Sequence, residues 1–378
     1  MNILMMTASV GAGHIKAAEA VARELKEAAP EAQLTVVDFM SREVSTLHYL
    51  MKRIYLLMLA FVPDLYDKCY RFAGGASGGR LTDYALSLFM YRRMARLLDE
   101  YRPDLVICTH PFPEGACSLI KKFSRRRFYL AVVMTDYSLH EIWLYPRVDA
   151  YFVAIPSMAE GLKRKNFAGT RVHVTGIPVE RSILSLPKKE EARRLLGLPE
   201  DKPTVLLMGG GLGLGGMDAM LDELETLDLP LSLLVVAGRN EDLELAVRAR
   251  VPSSRHRLFV WGYTDRARLL MRASDVLVTK PGALTVSEAF ILGLPTVLHD
   301  PIPGPEEKNA VYATEQGAAV WVHPGESLAT TVCHLLTQPE QRARLSEGAR
   351  RCARPYAARD IAMTLLQDCQ QKSPHADA

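Results

Sequence analysis

The sequence predicts an α/β protein built from two doubly wound parallel-sheet domains. Three observations predict it. Short apolar runs without alternation recur along the chain and are separated by helical patterns, which suits strands buried on both faces of a parallel sheet with helical crossovers. The pattern strand, glycine-rich turn, helix occurs twice, once near the start and once after residue 203. The length, 378 residues, exceeds one ordinary core and suits two domains of roughly 100–200 residues each.

The first half carries candidate strands at Asn2–Met6, Leu34–Asp38, Leu105–Thr109, Tyr129–Met134, Tyr151–Ala154 and Val172–Thr175. Its first helix follows the turn after residue 7. Ile15, Ala18, Ala22, Leu25 and Ala29 form one apolar stripe, and Glu19 precedes Arg23 by one turn, an arrangement that supports a helix. The second half carries strands at Thr204–Met208, Leu233–Ala237, Leu258–Val260, Val276–Thr279, Thr296–Leu298 and Ala319–Val322. Between them lies a stretch rich in proline and charge. Boundaries follow at 1–178 for the first domain, 179–202 for a linker, 203–355 for the second domain and 356–378 for a terminal helix and tail.

Residues 45–98 break this rhythm. They are apolar, aromatic and punctuated by Lys and Arg, with AGGASGG in the middle. Two readings stand: a pair of helices packed on the first sheet, or an interfacial lobe. In the second, Leu56, Leu57, Leu59, Phe61 and Tyr66 enter the headgroup boundary while Lys52, Arg53, Lys68 and Arg71 meet an anionic membrane surface.

Composition excludes several classes. Hydrophobic residues make up 48% and charged residues 24%, the balance of a globular chain. A formal net charge of +3 argues for no nucleic-acid partner. Cys69, Cys108, Cys117, Cys333, Cys352 and Cys369 form no C-x-x-C pair and no metal spacing, so the expectation is a reducing, cytoplasmic setting without a metal. No apolar run reaches the ~18–20 residues that span a bilayer.

Two turns carry candidate chemistry. In MGGGLGLGGMDAM, which holds Gly210, the residues Gly211, Gly213 and Gly216 satisfy G-x-G-x-x-G. Glycine there admits a phosphate to the backbone, and the following helix start favours an anion. No Lys-Ser/Thr follows, so this is no Walker loop. The next strand ends in Arg239 rather than an acid, which disfavours NAD and leaves an NADP-binding oxidoreductase as a reading from a different class. In the opening turn, Gly11-Ala12-Gly13-His14, a histidine near a helix start has its pKa pushed down by the dipole and stays neutral. Taken alone, it reads as a base or as a structural cap.

From Val260 the chain runs VWGYTDRARLLMRASDVLVTKPGALTVSEAFILGLPTVLHDPIPGPEEKNA. This stretch resembles the donor domain of glycosyltransferase family 28. The likeness is closest to processive diacylglycerol glucosyltransferases and monogalactosyldiacylglycerol synthases. The enzymes that add N-acetylglucosamine to a polyprenyl-linked acceptor are more distant. TDYSLHEIW, which holds Asp136, His140 and Trp143, and GIPV at 176–179 extend the resemblance into the first half.

The resemblance implies a GT-B fold, with acceptor in the first domain and UDP-sugar in the second. It implies that Gly262 and Tyr263 read uracil, that Pro281, Gly282, Leu284 and Thr285 form the diphosphate turn, and that Glu288 takes the ribose hydroxyls. Glu306 and Asn309 match the sugar-contacting motif, whereas Pro305 replaces its Gln and Glu307 its Lys, so glucose and galactose both stay open. Gly13, Gly210, Gly211, Gly213 and Arg239 complete the donor set; Gly11, His140 and Trp143 lie on the acceptor side. The implied activity is inverting transfer of a hexose, glucose first, to diacylglycerol. His14 or Asp136 serves as base, no metal is needed, and the enzyme sits peripherally on the inner face of the plasma membrane. The alternative is an N-acetylglucosaminyl transferase acting on a polyprenyl-linked acceptor.

Overall fold

A computed structural model describes the chain except residues 10–11, 42–45, 47–49, 51–77, 125, 166, 168, 210–215 and 373–378. It divides into two compact units, Met1–Glu180 with Pro355–Ala378, and Arg181–Arg354. Each holds one six-stranded parallel sheet. All twelve strands read from the sequence are present, within one or two residues at their ends.

In the first unit, β1 (Asn2–Thr7), β2 (Gln33–Asp38), β3 (Leu105–Cys108), β4 (Tyr129–Val133), β5 (Ala150–Val153) and β6 (Arg171–Val174) lie in the order β2-β1-β3-β4-β5-β6. Helices α1 (Ala12–Ala28), α2 (Gly78–Tyr101), α3 (Pro111–Phe123) and α4 (Pro156–Arg164) supply connections. β1, β3, β4 and β5 are almost wholly buried, as expected for a parallel sheet covered on both faces. The α1 stripe buries Ala18, Ala22 and Leu25. Glu19 and Arg23 do not pair with each other: Glu19 pairs with Lys16 at 2.7 Å and Arg23 with Glu180.

In the second unit, α5 (Lys189–Leu195) precedes β7 (Thr204–Met208), β8 (Ser232–Val236), β9 (Arg257–Trp261), β10 (Val276–Thr279), β11 (Thr296–Leu298) and β12 (Ala319–Trp321). Their order is β12-β11-β10-β7-β8-β9, the doubly wound dinucleotide-fold order. Between and after them run α6 (Met217–Leu224), α7 (Glu241–Arg250), α8 (Ala267–Ala273), α9 (Ala283–Leu292), α10 (Pro305–Glu315), α11 (Leu328–Thr337) and α12 (Pro339–Cys352). Val205, Leu207, Leu233, Val235, Val276 and Val278 pack with Leu221, Leu224, Val332 and Leu335 into its core.

Two boundaries differ from the sequence reading. The stretch read as a linker from 179 groups with the second unit from Arg181 onward. Its charges are engaged there: Lys189 and Arg193 both bind Asp275, and Ala192 is buried. The terminal helix α13 (Ala357–Lys372) groups with the first unit, where Ala358, Ile361, Ala362 and Leu365 join the β1–β3–β4 core. Asp368 is buried there, accepts from the Tyr129 hydroxyl at 2.8 Å and pairs with Arg171.

Candidate active site

Ligands in open α/β sheets bind beyond the carboxyl ends of the strands, where the strand order reverses. In the first unit that point lies between β1 and β3, which are hydrogen-bonded neighbours although α1, β2 and α2 separate them in sequence. His14, in the first turn of α1, meets Thr109 and His110, which follow β3, at this point. Its Nδ1 lies 2.9 Å from the Thr109 carbonyl and 2.8 Å from the Thr135 hydroxyl oxygen. A carbonyl only accepts, so Nδ1 carries the proton and donates to both oxygens. The Thr109 hydroxyl in turn donates to the His14 carbonyl at 3.1 Å.

This pattern fixes the tautomer and leaves Nε2 as the basic nitrogen. Burial holds the His14 pKa below 6.5; the Asp136 charge and the Thr109 carbonyl act in the opposite direction. The helix start that the sequence suggested as the cause is therefore not the main one. His110 stands edge-on to His14 with ring centroids 4.7 Å apart. Its Nδ1 accepts from the Phe112 N–H at 3.2 Å and caps α3. Burial, then the His14 charge, pushes its pKa well down.

His140 is also a cap. Its Nδ1 accepts from the Ile142 N–H at 3.2 Å, starting the short helix Glu141–Trp143. That helix sets the buried Trp143 ring 6.4 Å from His14. Gly13 lies in the first turn of α1, and Gly11 lies outside the described residues. Sequence reasoning thus named His14, Asp136 and Trp143 but missed Thr109, His110 and Thr135. THPF and TDY, which begin one and two residues past the ends of β3 and β4, were the available signals.

In the second unit the order reverses between β7 and β10, tied by the Thr279 hydroxyl donating to the Met208 carbonyl at 3.0 Å. Gly210, Gly211 and Gly213 lie outside the described residues. Gly216 caps α6 with φ of +57°, a left-handed conformation that suits glycine. After β10, Gly282 caps α9, and Leu284 and Thr285 fall in its first turn. The preceding carbonyl of Pro281 accepts from Asn309 Nδ2 at 3.2 Å, and Asn309 is fully buried. Glu306 accepts from the Ile302 N–H at 2.7 Å, and its carboxylate lies 3.9 Å from where a Gly282 side chain would start. Glu288 is largely enclosed, with Arg268 Nε 3.6 Å away.

Arg239, after β8, stacks on the Tyr263 ring after β9 at 4.9 Å, so two residues named for different reasons form one cation–π contact. A side chain at Gly262 would start 2.2 Å from the Glu244 carboxylate. The departures at 305 and 307 have local causes. Pro305 opens α10, where a missing N–H costs nothing, and Glu307 accepts from the Gly304 N–H at 3.2 Å. The sequence reading also missed Asp300, a non-glycine residue with φ of +40° whose carboxylate lies 3.3 Å from the Gly216 side-chain position.

Known proteins share this layout. Residues 14–179 match the model of the monogalactosyldiacylglycerol (MGDG) synthase family, and residues 188–352 that of glycosyl transferases group 1. The processive diacylglycerol beta-glucosyltransferase of Bacillus licheniformis is 27% identical over 345 residues, 90% of this chain and 88% of the relative. MurG of Acinetobacter baumannii superposes with a TM-score of 0.63 at 18% identity, covering 97% of this chain and 99% of its own. The UDP-GlcNAc 2-epimerase of Neisseria meningitidis reaches a TM-score of 0.60 at 16% identity over 97% and 100%, so the fold by itself does not define the reaction.

The fold and the two matched regions together make this chain a glycosyltransferase of the GT-B class. Within that class it is similar to the processive diacylglycerol glucosyltransferases and the MGDG synthases.

Proposed function

We propose that this protein transfers a hexose, glucose first, from a UDP-sugar to the hydroxyl of diacylglycerol with inversion at the anomeric carbon. The observation that carries the reading is His14: a neutral imidazole at a strand-order reversal, with Nδ1–H engaged and Nε2 basic. The acceptor oxygen attacks the anomeric carbon, its proton passes to Nε2, and the bond from that carbon to the UDP oxygen breaks. Thr109 and Thr135 hold the ring. Asp136 stabilises the imidazolium that forms, since its charge raises the His14 pKa.

In the second unit, Glu288 takes the ribose hydroxyls and the Arg239–Tyr263 stack borders the uracil loop. Glu306 reads the hexose, and the buried Asn309 holds the Pro281 carbonyl and so the turn before α9. The glycine turn before α6 and the start of α9 take the developing diphosphate charge. These groups make a divalent cation unnecessary, so EDTA leaves turnover unchanged.

The acceptor is a lipid, and among the described residues no helix is long and apolar enough to cross a membrane. Peripheral binding to an anionic membrane surface at the inner face of the plasma membrane supplies the acceptor. The segment read for it from the sequence, 45–98, lies largely outside the described residues; α2 accounts for its last part.

The test is incubation with diacylglycerol liposomes and UDP-glucose or UDP-galactose separately, followed by product mass and anomeric configuration. A β-linked hexosyldiacylglycerol is expected. No lipid-linked hexose from either donor refutes the reading.

A further inference from the structure

The second unit has a cavity of about 420 Å³ at the end of its sheet opposite the donor turns. It opens beside Ser274 and Asp275, just before β10, and Leu294 and Pro295, just before β11. The four residues of β10, about 13 Å of strand, separate it from the Pro281–Gly282 turn. It is therefore not a part of the donor site.

Its charges are unbalanced. Lys189, Arg272, Arg342 and Arg350 line it, against Asp275 as its one carboxylate. Asp275 is already engaged: it binds Lys189 and Arg193 and accepts from the Thr204 N–H at 2.7 Å. Arg342 donates to the Leu335 carbonyl at 2.8 Å. Arg272 and Arg350 have no carboxylate within ion-pair reach among the described residues. The Arg272 Nε is buried without a hydrogen-bond partner. Arg350 lies against Gly293, where a β-carbon would start 2.7 Å from its Nε. The two guanidinium groups repel: burial and the Arg350 charge lower the Arg272 pKa.

Arg272 is partly buried, and such a charge is normally paired; Arg350 is exposed. Without a counter-ion at the wall of an open cavity, the two guanidinium groups present planar donor forks that match planar or tetrahedral oxyanions. We propose that this cavity binds a phosphate-bearing ligand between Arg272 and Arg350. The proposal is independent of the transfer reaction assigned above. The cavity exceeds a lone phosphate, so the ligand is a phosphorylated solute or a phospholipid headgroup, which share this chemistry.

The test uses the full chain. Melting is followed against inorganic phosphate, with chloride at matched ionic strength, for wild type and R272Q/R350Q. Phosphate is expected to raise the wild-type Tm, and the double variant is expected to bind it at least about tenfold more weakly. In phosphate-free buffer the variant melts at or above wild type, because the repulsion is gone. Sedimentation with phosphatidylglycerol vesicles separates the sources: phosphate response lost with vesicle binding intact supports a soluble ligand, and loss of both supports a headgroup. A wild-type Tm indifferent to phosphate, a shift retained in the double variant, or a variant that melts lower without phosphate overturns the proposal.

Discussion

Replacing His14 by Gln tests the base assignment with little structural cost. The Thr109 hydroxyl bonds the main-chain carbonyl of residue 14, so that tie survives any side chain. A glutamine amide N–H can also donate toward the Thr109 carbonyl, which His14 Nδ1 reaches at 2.9 Å. What disappears is the basic Nε2. Positioned general acid–base catalysis contributes about 10²–10⁴ in rate, or about 3–5 kcal/mol of barrier at 1.36 kcal/mol per tenfold. The expected result is a loss of that size in kcat with UDP-glucose and liposomal diacylglycerol, and a Tm within a few degrees of wild type. The pH profile adds a second readout. Burial lowers the His14 pKa below 6.5, and the base works deprotonated. Wild-type kcat/KM therefore rises with pH through that lowered pKa and levels off above it, and the variant lacks this acidic limb. Turnover within about threefold of wild type, or an unchanged acidic limb, refutes the assignment.

Thr135→Val removes one of two acceptors from His14 Nδ1; about tenfold lower kcat with unchanged donor affinity is expected, scaled from second-shell contacts elsewhere, and equal kcat counts against a positioning role. Glu288→Gln weakens UDP binding by about tenfold in calorimetry, because a carboxylate accepts two hydroxyl donors better than an amide. His14 and His110 both have folded pKa values below 6.5, so below pH 6.5 the unfolded chain binds more protons and stability falls as pH falls; His110→Asn, which keeps a helix cap, should shrink the loss of Tm between pH 7 and 5. Gly348→Ala drives a β-carbon to 2.0 Å from the Gly317 carbonyl oxygen and should cost about 3 kcal/mol in denaturant unfolding of the second unit.

The strands were legible because a parallel sheet covered on both faces demands continuous apolar runs. VLLM, LLVV and VLVT announce themselves without knowledge of partners. The tail helix was legible as a helix but not as part of the first unit, since its apolar residues Ile361 and Leu365 do not say which core receives them. The stretch 181–202 looks like a linker by composition. Its charge satisfies Asp275, some 80 residues away, and such pairing leaves no local trace. The His14 setting was half legible for the same reason. Glycine turns and a histidine can be read in order, but Thr109 and Thr135 reach the ring from 95 and 121 residues away. Motif resemblance named the donor residues. Only geometry shows that Pro305 and Glu307, odd against the motif, begin α10 and cap it.

The return of α13 to the first unit sets an order of assembly. Residues 181–354 are contiguous, so the second unit can close on the ribosome as soon as Arg354 has emerged. The first unit waits. Until Ile361, Ala362 and Leu365 arrive, the core they share with α1 and the sheet is incomplete, and Tyr129 and Arg171 lack Asp368. The half of the protein made first is thus the half finished last. A premature stop near residue 355 should leave a folded second unit and a first unit that chaperones must hold.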